Sequence, residues 1–223
     1  MIENGENDKL QLQCSMRELV ILNEIARVLN TSVDLAAALE VALERGGALF
    51  DLETGWVWLL NEESGEGESY LAAARNLPPA LVANSALMEG HCWCLDSYRL
   101  GQLTDAANIN VITCSRLKNM AEGTAGLRCH DSVPLYVRDQ KLGMLNLVSA
   151  DWRELDAEDL RLLHTIGDML SIAVGRARLL RAQFKTRRGG RTQSIGARDT
   201  RYLGTRLDGR AVTASCAPVW RPC

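Results

Sequence analysis

The sequence predicts an α+β fold built on an antiparallel sheet, and three observations predict it. Apolar residues recur at helical spacing near both ends of the chain's body. Two internal stretches read as strand, polar turn, strand. The resulting order is helix, helix, strand pair, irregular middle, strand pair, helix, which suits an antiparallel sheet flanked by helices.

Residues 11–30, "QLQCSMRELVILNEIARVLN", place Leu12, Met16, Leu19, Leu22, Ile25, Ala26 and Leu29 on one helical stripe. A second helix follows in "TSVDLAAALEVALERGGALF", with Ser32 or Asp34 as its cap and Gly46-Gly47 loosening its far end. "GWVWLLNEESGEGESYLAAARN" is a hairpin with Gly65 and Gly67 in its loop, and "LPPALVANSALMEG" is a short helix over the sheet. "HDSVPLYVRDQKLGMLNLVSA" is a second hairpin around the charged turn Arg138-Asp139-Gln140. The last helix starts at the capping residue Asp156, and its seam runs through Leu160, Leu163, Ile166, Leu170, Ala173, Val174, Ala177 and Leu180. Both terminal seams are longer than one sheet face needs. A homodimer through these helices is therefore expected, with Leu170 and Val174 at its interface.

The chain divides into a leader over 1–14, a folded domain over 15–182 and a tail over 183–223. Residues 184–223 carry nine Lys/Arg and two Asp/Glu, which leaves 16 basic and 26 acidic residues for the rest. The Arg-, Gly- and Thr-rich tail has no sustained period and reads as disordered. An acidic body argues against nucleic-acid binding by the core. No apolar run is long enough for a transmembrane helix, and the polar N-terminus does not resemble a secretory signal. A cytoplasmic location is the expectation. There, grouped cysteines serve metal binding or redox chemistry more often than structural disulfides.

Three phrases carry a family resemblance: "LVILNEIARVLNTSVDLAAALEVAL", "HDSVPLYVRDQKLGMLNLVSA" and "RELDAEDLRLLHTIGDMLSIAVGRARL". With the strands around "GWVWLL", they resemble a GAF domain over roughly residues 15–182, of the type that precedes the kinase core in bacterial two-component sensors. The resemblance implies a ligand pocket on one sheet face and terminal helices on the other, often in a dimer bundle. It also implies a sensory, non-enzymatic role, with a histidine kinase or response regulator as partner. "CWC" and "CSRL" are similar to phrases in a group thought to hold an oxygen-labile iron–sulfur cluster. No phosphoacceptor motif or Gly-rich ATP-binding motif follows Leu180, so no kinase core is expected in this chain, and His164 reads as an ordinary half-buried helix residue.

Cys92, Cys94, Cys114 and Cys129 fall within 38 residues and are the candidate ligands. If residues 91–95 are extended, Cys92 and Cys94 point the same way and Trp93 the other. Cys114 precedes a helical turn, "SRLKNMAE". Cys129 alternates with Asp131, Val133 and Leu135 on a strand, so it shares their face and His130 takes the opposite one. Four thiolates suit a [4Fe-4S] or [2Fe-2S] cluster. Arg99, Arg116, Lys118 and Arg128 could offset its charge, and Trp93, Leu95 and Tyr98 could restrict solvent. Zinc is the rival metal, and buried thiols that bind nothing are the third reading. Bilin attachment fits poorly, because Ser115 stands where the attaching cysteine of such domains is followed by histidine. Cys14, Cys216 and Cys223 are outside the set.

Overall fold

The computed structural model describes residues 2–61, 68–88, 92–110, 127–150 and 154–196. The chain divides into two units, Met1–Leu180 and Arg181–Cys223. Helices α1 (Ile2–Thr31) and α2 (Leu35–Leu49) are followed by strands β1 (Thr54–Leu60) and β2 (Ser69–Arg75). A short helix α3 (Pro79–Ala83), a 3₁₀ turn (Ser85–Met88) and α4 (Trp93–Arg99) come next. Then come β3 (Ala107–Asn110), β4 (Cys129–Val137), β5 (Gln140–Ser149) and α5 (Ala157–Gly196). The strands form one sheet in the order β2-β1-β5-β4-β3, with every neighbouring pair antiparallel.

The predicted caps are made. Asp34 Oδ1 accepts from the amides of Ala36 (2.9 Å) and Ala37 (3.5 Å), and Asp156 Oδ1 accepts from Glu158 (2.8 Å) and Asp159 (2.9 Å). Each satisfies donors that the first turn of a helix leaves open. The second hairpin turns at Arg138 and Asp139, with Arg138 in the left-handed region at φ 53°.

Helix α1 takes in residues 2–14, and α5 runs to Gly196. One expectation is corrected. Gly46 and Gly47 do not loosen α2. Both are buried, and a Cβ at Gly47 would lie 2.2 Å from the Leu52 carbonyl, so the glycine permits close packing there. The loop holding Gly65 and Gly67, and residues 197–223 of the tail, lie outside the described residues.

Alternation along the strands sends side chains to two faces, and both are covered. On the first, Val57, Leu59, Val133, Leu135, Leu145 and Leu147 pack in one core with Ile25 and Leu29 of α1, Leu39 and Leu43 of α2, and Leu163, Ile166, Leu170 and Val174 of α5. On the second, Trp56, Trp58, Met144 and Val148 pack with Leu81 of α3, Met88 and the α4 residues Cys94, Leu95 and Tyr98. Leu170 and Val174 are fully buried in the first core, so they are not the dimer interface expected of them. The apolar side chains that the terminal helices leave exposed include Leu12, Met16, Leu19 and Val20 on α1, and Ile172 and Leu179 on α5.

Candidate functional site

The second face carries the chemistry. Cys92 is not extended into a strand; it is the N-cap of α4, with φ −142° and ψ 153°, and its Sγ accepts from the Leu95 amide at 3.5 Å. Cys94 lies in the first turn. Both thiols are buried in the apolar cluster between α4 and the sheet, while Trp93 is 50% exposed. The helix therefore replaces the extended segment that the two cysteines were expected to share, yet it delivers both to the same interior.

The Sγ of Cys94 lies 3.8 Å from Nε2 of His130 on β4. His130 Nδ1 is 3.2 Å from Ser132 Oγ and 3.5 Å from Asn146 Nδ2, and Asn146 Nδ2 donates to Ser132 Oγ at 2.7 Å. Cross-strand pairing explains the grouping, since Ser132 pairs with Asn146, and His130 lies two residues from Ser132 on the same face. Burial holds the imidazole neutral by lowering its pKa from 6.5 to about 4.

This pKa shift sets a stability prediction. The unfolded chain takes up the proton first as pH falls, so the folded state is unpenalised above pH 6.5 and loses stability between about 6.5 and 4. The loss from this one group is roughly 3 kcal/mol, near 1.4 kcal/mol per pH unit. Urea unfolding of wild type and His130→Gln between pH 7 and 4 should show that steeper slope only in the wild type. Equal slopes would defeat the assignment.

Strand alternation places Cys129 with Asp131, Val133 and Leu135, and that face is the one against the helices, opposite His130 and Cys94. The Cys129 thiol donates to the Ile109 carbonyl at 3.5 Å. Burial first, then the charges of Asp131 and Glu154, push its pKa up to about 11, so the free thiol keeps its proton. Cys114, with Arg116 and Lys118, lies outside the described residues. Arg99 is salt-bridged to Asp96 at 3.2 Å, and the Arg128 side chain is exposed. Among the described residues, no three His, Cys, Asp or Glu side chains are grouped to hold a metal ion. By strand alternation Cys129 enters the face opposite the α4 cysteines, so among the described cysteines Cys92 and Cys94 alone share that interior.

A cavity of about 440 Å³ opens at the rim of this face, between Thr54, Asn76, Leu77 and Pro78 on one side and Leu127, Val148 and Ser149 on the other. Leu127 and Val148 also belong to the apolar cluster that holds Cys94. Sequence reasoning missed the group His130–Ser132–Asn146. Its visible signal was a run of three polar residues, His130, Asp131 and Ser132, at the start of a strand that turns apolar.

An antiparallel sheet with long terminal helices on one face and a layer of short helices over a largely apolar interior on the other is the architecture of a GAF domain. The chain belongs to the GAF family, whose domain model matches residues 32–175. It is 35% identical over 176 residues to Sensor histidine kinase YhcY of Bacillus subtilis (strain 168), a match that covers 76% of this chain and 45% of that protein. The chain therefore spans less than half the length of this relative.

The GAF domain of a putative sensor histidine kinase from Pseudomonas syringae pv. tomato superposes with a TM-score of 0.57 at 17% identity, covering 80% of this chain and 99% of that one. The phycocyanobilin-bound GAF domain from a cyanobacterial phytochrome does so with a TM-score of 0.54 at 14% identity, covering 73% and 96%. At these identities the likeness is one of fold. The chain thus carries a GAF domain homologous to part of a sensor histidine kinase, and no described helix is long and apolar enough to cross a membrane.

Proposed function

We propose that this chain is a sensory, non-catalytic module of a two-component pathway and binds its signal ligand on the α4 side of the sheet. Cys92, Cys94 and His130 would be its polar contacts there. The observation that carries this reading is the Cys94–His130 pair, a thiol and an imidazole 3.8 Å apart at the edge of an apolar cluster. Buried polar groups are costly unless they are satisfied, and convergent polar groups in an apolar pocket are the usual mark of a ligand site. Thiol and imidazole suit a redox-responsive or soft-metal ligand. The response would leave through α1 and α5. Their exposed residues Leu12, Met16, Leu19 and Val20, with Ile172 and Leu179, offer a surface for a second copy of the chain, and a kinase or response regulator would read the change.

An iron–sulfur cluster on Cys92, Cys94, Cys114 and Cys129 is the more specific form of this proposal. It is supported by the closeness of Cys92 and Cys94 to one interior, and opposed by the opposite face of Cys129. Anaerobic purification with metal, sulfide and absorption analysis separates the two forms. For a ligand held by Cys94 and His130, Cys94→Ser should lose the bound species and Cys129→Ser should keep it. Iron and sulfide lost equally from all four serine variants would establish the cluster instead. Stoichiometric zinc lost from Cys92→Ser and Cys94→Ser would make the site structural. A preparation with nothing bound, indifferent to added redox ligands or metals, would reject a ligand site on this face.

A further inference from the structure

The register of β4 against β5 slips at one point. Leu135 pairs with Gly143 and the next residue, Tyr136, pairs with Lys141, so Leu142 is the extra residue of β5. Two long side chains meet the backbone at this slip. From the ligand side, the Tyr98 hydroxyl of α4 donates to the Leu135 carbonyl at 2.6 Å and accepts from the Gly143 amide at 3.2 Å. It bridges the pair of residues at which regular pairing ends. Tyr98 is fully buried, and burial pushes its phenol pKa well up, which keeps the hydroxyl proton in place to donate.

From α5, Arg178 Nη2 donates to the Leu142 carbonyl at 3.3 Å and to the Leu60 carbonyl at the end of β1. The Leu142 carbonyl and the Gly143 amide are the two ends of one peptide group. That group is rigid and planar, so a tilt at one end is a tilt at the other.

We propose that the Leu142–Gly143 peptide group is the junction through which α4 and α5 are coupled across the sheet, with Tyr98 and Arg178 as its two positioning residues. Shifting α4 withdraws the hydroxyl from Leu135 and Gly143, lets the peptide rotate, and misaligns the carbonyl that Arg178 holds. The geometry stands without a ligand, but its use as a signal path rests on the reading that the α4 side is the ligand side. Coupling of this kind is shown only by a perturbation at one end that is read at the other.

Amide hydrogen exchange on the full chain provides that test with no ligand added. Tyr98→Phe should speed exchange of the Gly143 amide about ten-fold, the loss of one buried hydrogen bond. It should also speed exchange in α5 around residues 174–180 by several-fold. Tyr136→Phe is the control, because its ring packs on Tyr98 at 4.9 Å but its hydroxyl donates to Leu103. It should leave α5 unchanged. If Tyr98→Phe fails to fold, Arg178→Gln tests the path from the other end, and it should speed exchange at Gly143 by several-fold. Loosening confined to the mutated side in the folded variants, or the same α5 loosening in Tyr136→Phe, overturns the junction. Either failure leaves the ligand site intact, since that site is scored by bound species.

Discussion

Replacing Leu170 with alanine should lower folding stability by about 2–5 kcal/mol, the range for removing a large aliphatic side chain from a closed core. Leu170 is fully buried among residues of α5, the sheet and the other long helices, with no solvent to refill the space. Chemical denaturation measures the loss directly. Two residues on, Ile172 is 65% exposed, and Ile172→Asp should keep stability within about 0.5 kcal/mol in the monomer while weakening self-association in sedimentation. If Leu170→Ala proves mild and dissociates a dimer, Leu170 is an interface residue, as the apolar seam alone suggests, and not a core residue.

The second large effect is expected at Gly143. An added Cβ would fall 2.0 Å from the Trp58 carbonyl oxygen and 2.9 Å from the Leu59 Cα, both backbone atoms of the neighbouring strand. Backbone in the middle of a sheet cannot step aside as a side-chain tip can, so β1 and β5 would have to separate. Gly143→Ala should therefore cost about 3 kcal/mol or more, at the upper end for overpacking. Gly101→Ala is the comparison, because no atom lies within 4 Å of its would-be Cβ and only its φ of 73° opposes the change. A Gly143→Ala protein as stable as wild type would show that the two strands do not approach this closely.

Much of the fold was legible because its signals are local. Asp34 and Asp156 cap the helices they precede, and Arg138-Asp139 turns the hairpin between two apolar runs. Other features were illegible for physical reasons. A helix of only seven residues capped by a cysteine has too few periods to differ from a strand, so the start of Trp93–Arg99 reads as extended from sequence. Cys129 shows a subtler limit. Alternation correctly groups it with Val133 and Leu135, but both faces of the sheet are covered, and β4 is buried from Cys129 to Leu135. A pattern that separates inside from outside cannot say which of two insides a residue enters. Only the tertiary packing of α4 against His130 decides that.

The two tryptophans of β1 give the molecule an optical property of its own. Trp56 and Trp58 alternate on the α4 side and are 2% and 1% exposed, whereas Trp93 on α4 is 50% exposed. Indole emission depends on the polarity around the ring, so the described part of the chain holds blue-shifted emitters in the interior with Cys94 and a red-shifted one at the surface of α4. With Trp152 and Trp220, which lie outside the described residues, replaced by phenylalanine, occupancy of that interior and displacement of α4 would change different parts of one intrinsic fluorescence spectrum, and the two events could be timed against each other without attaching a dye.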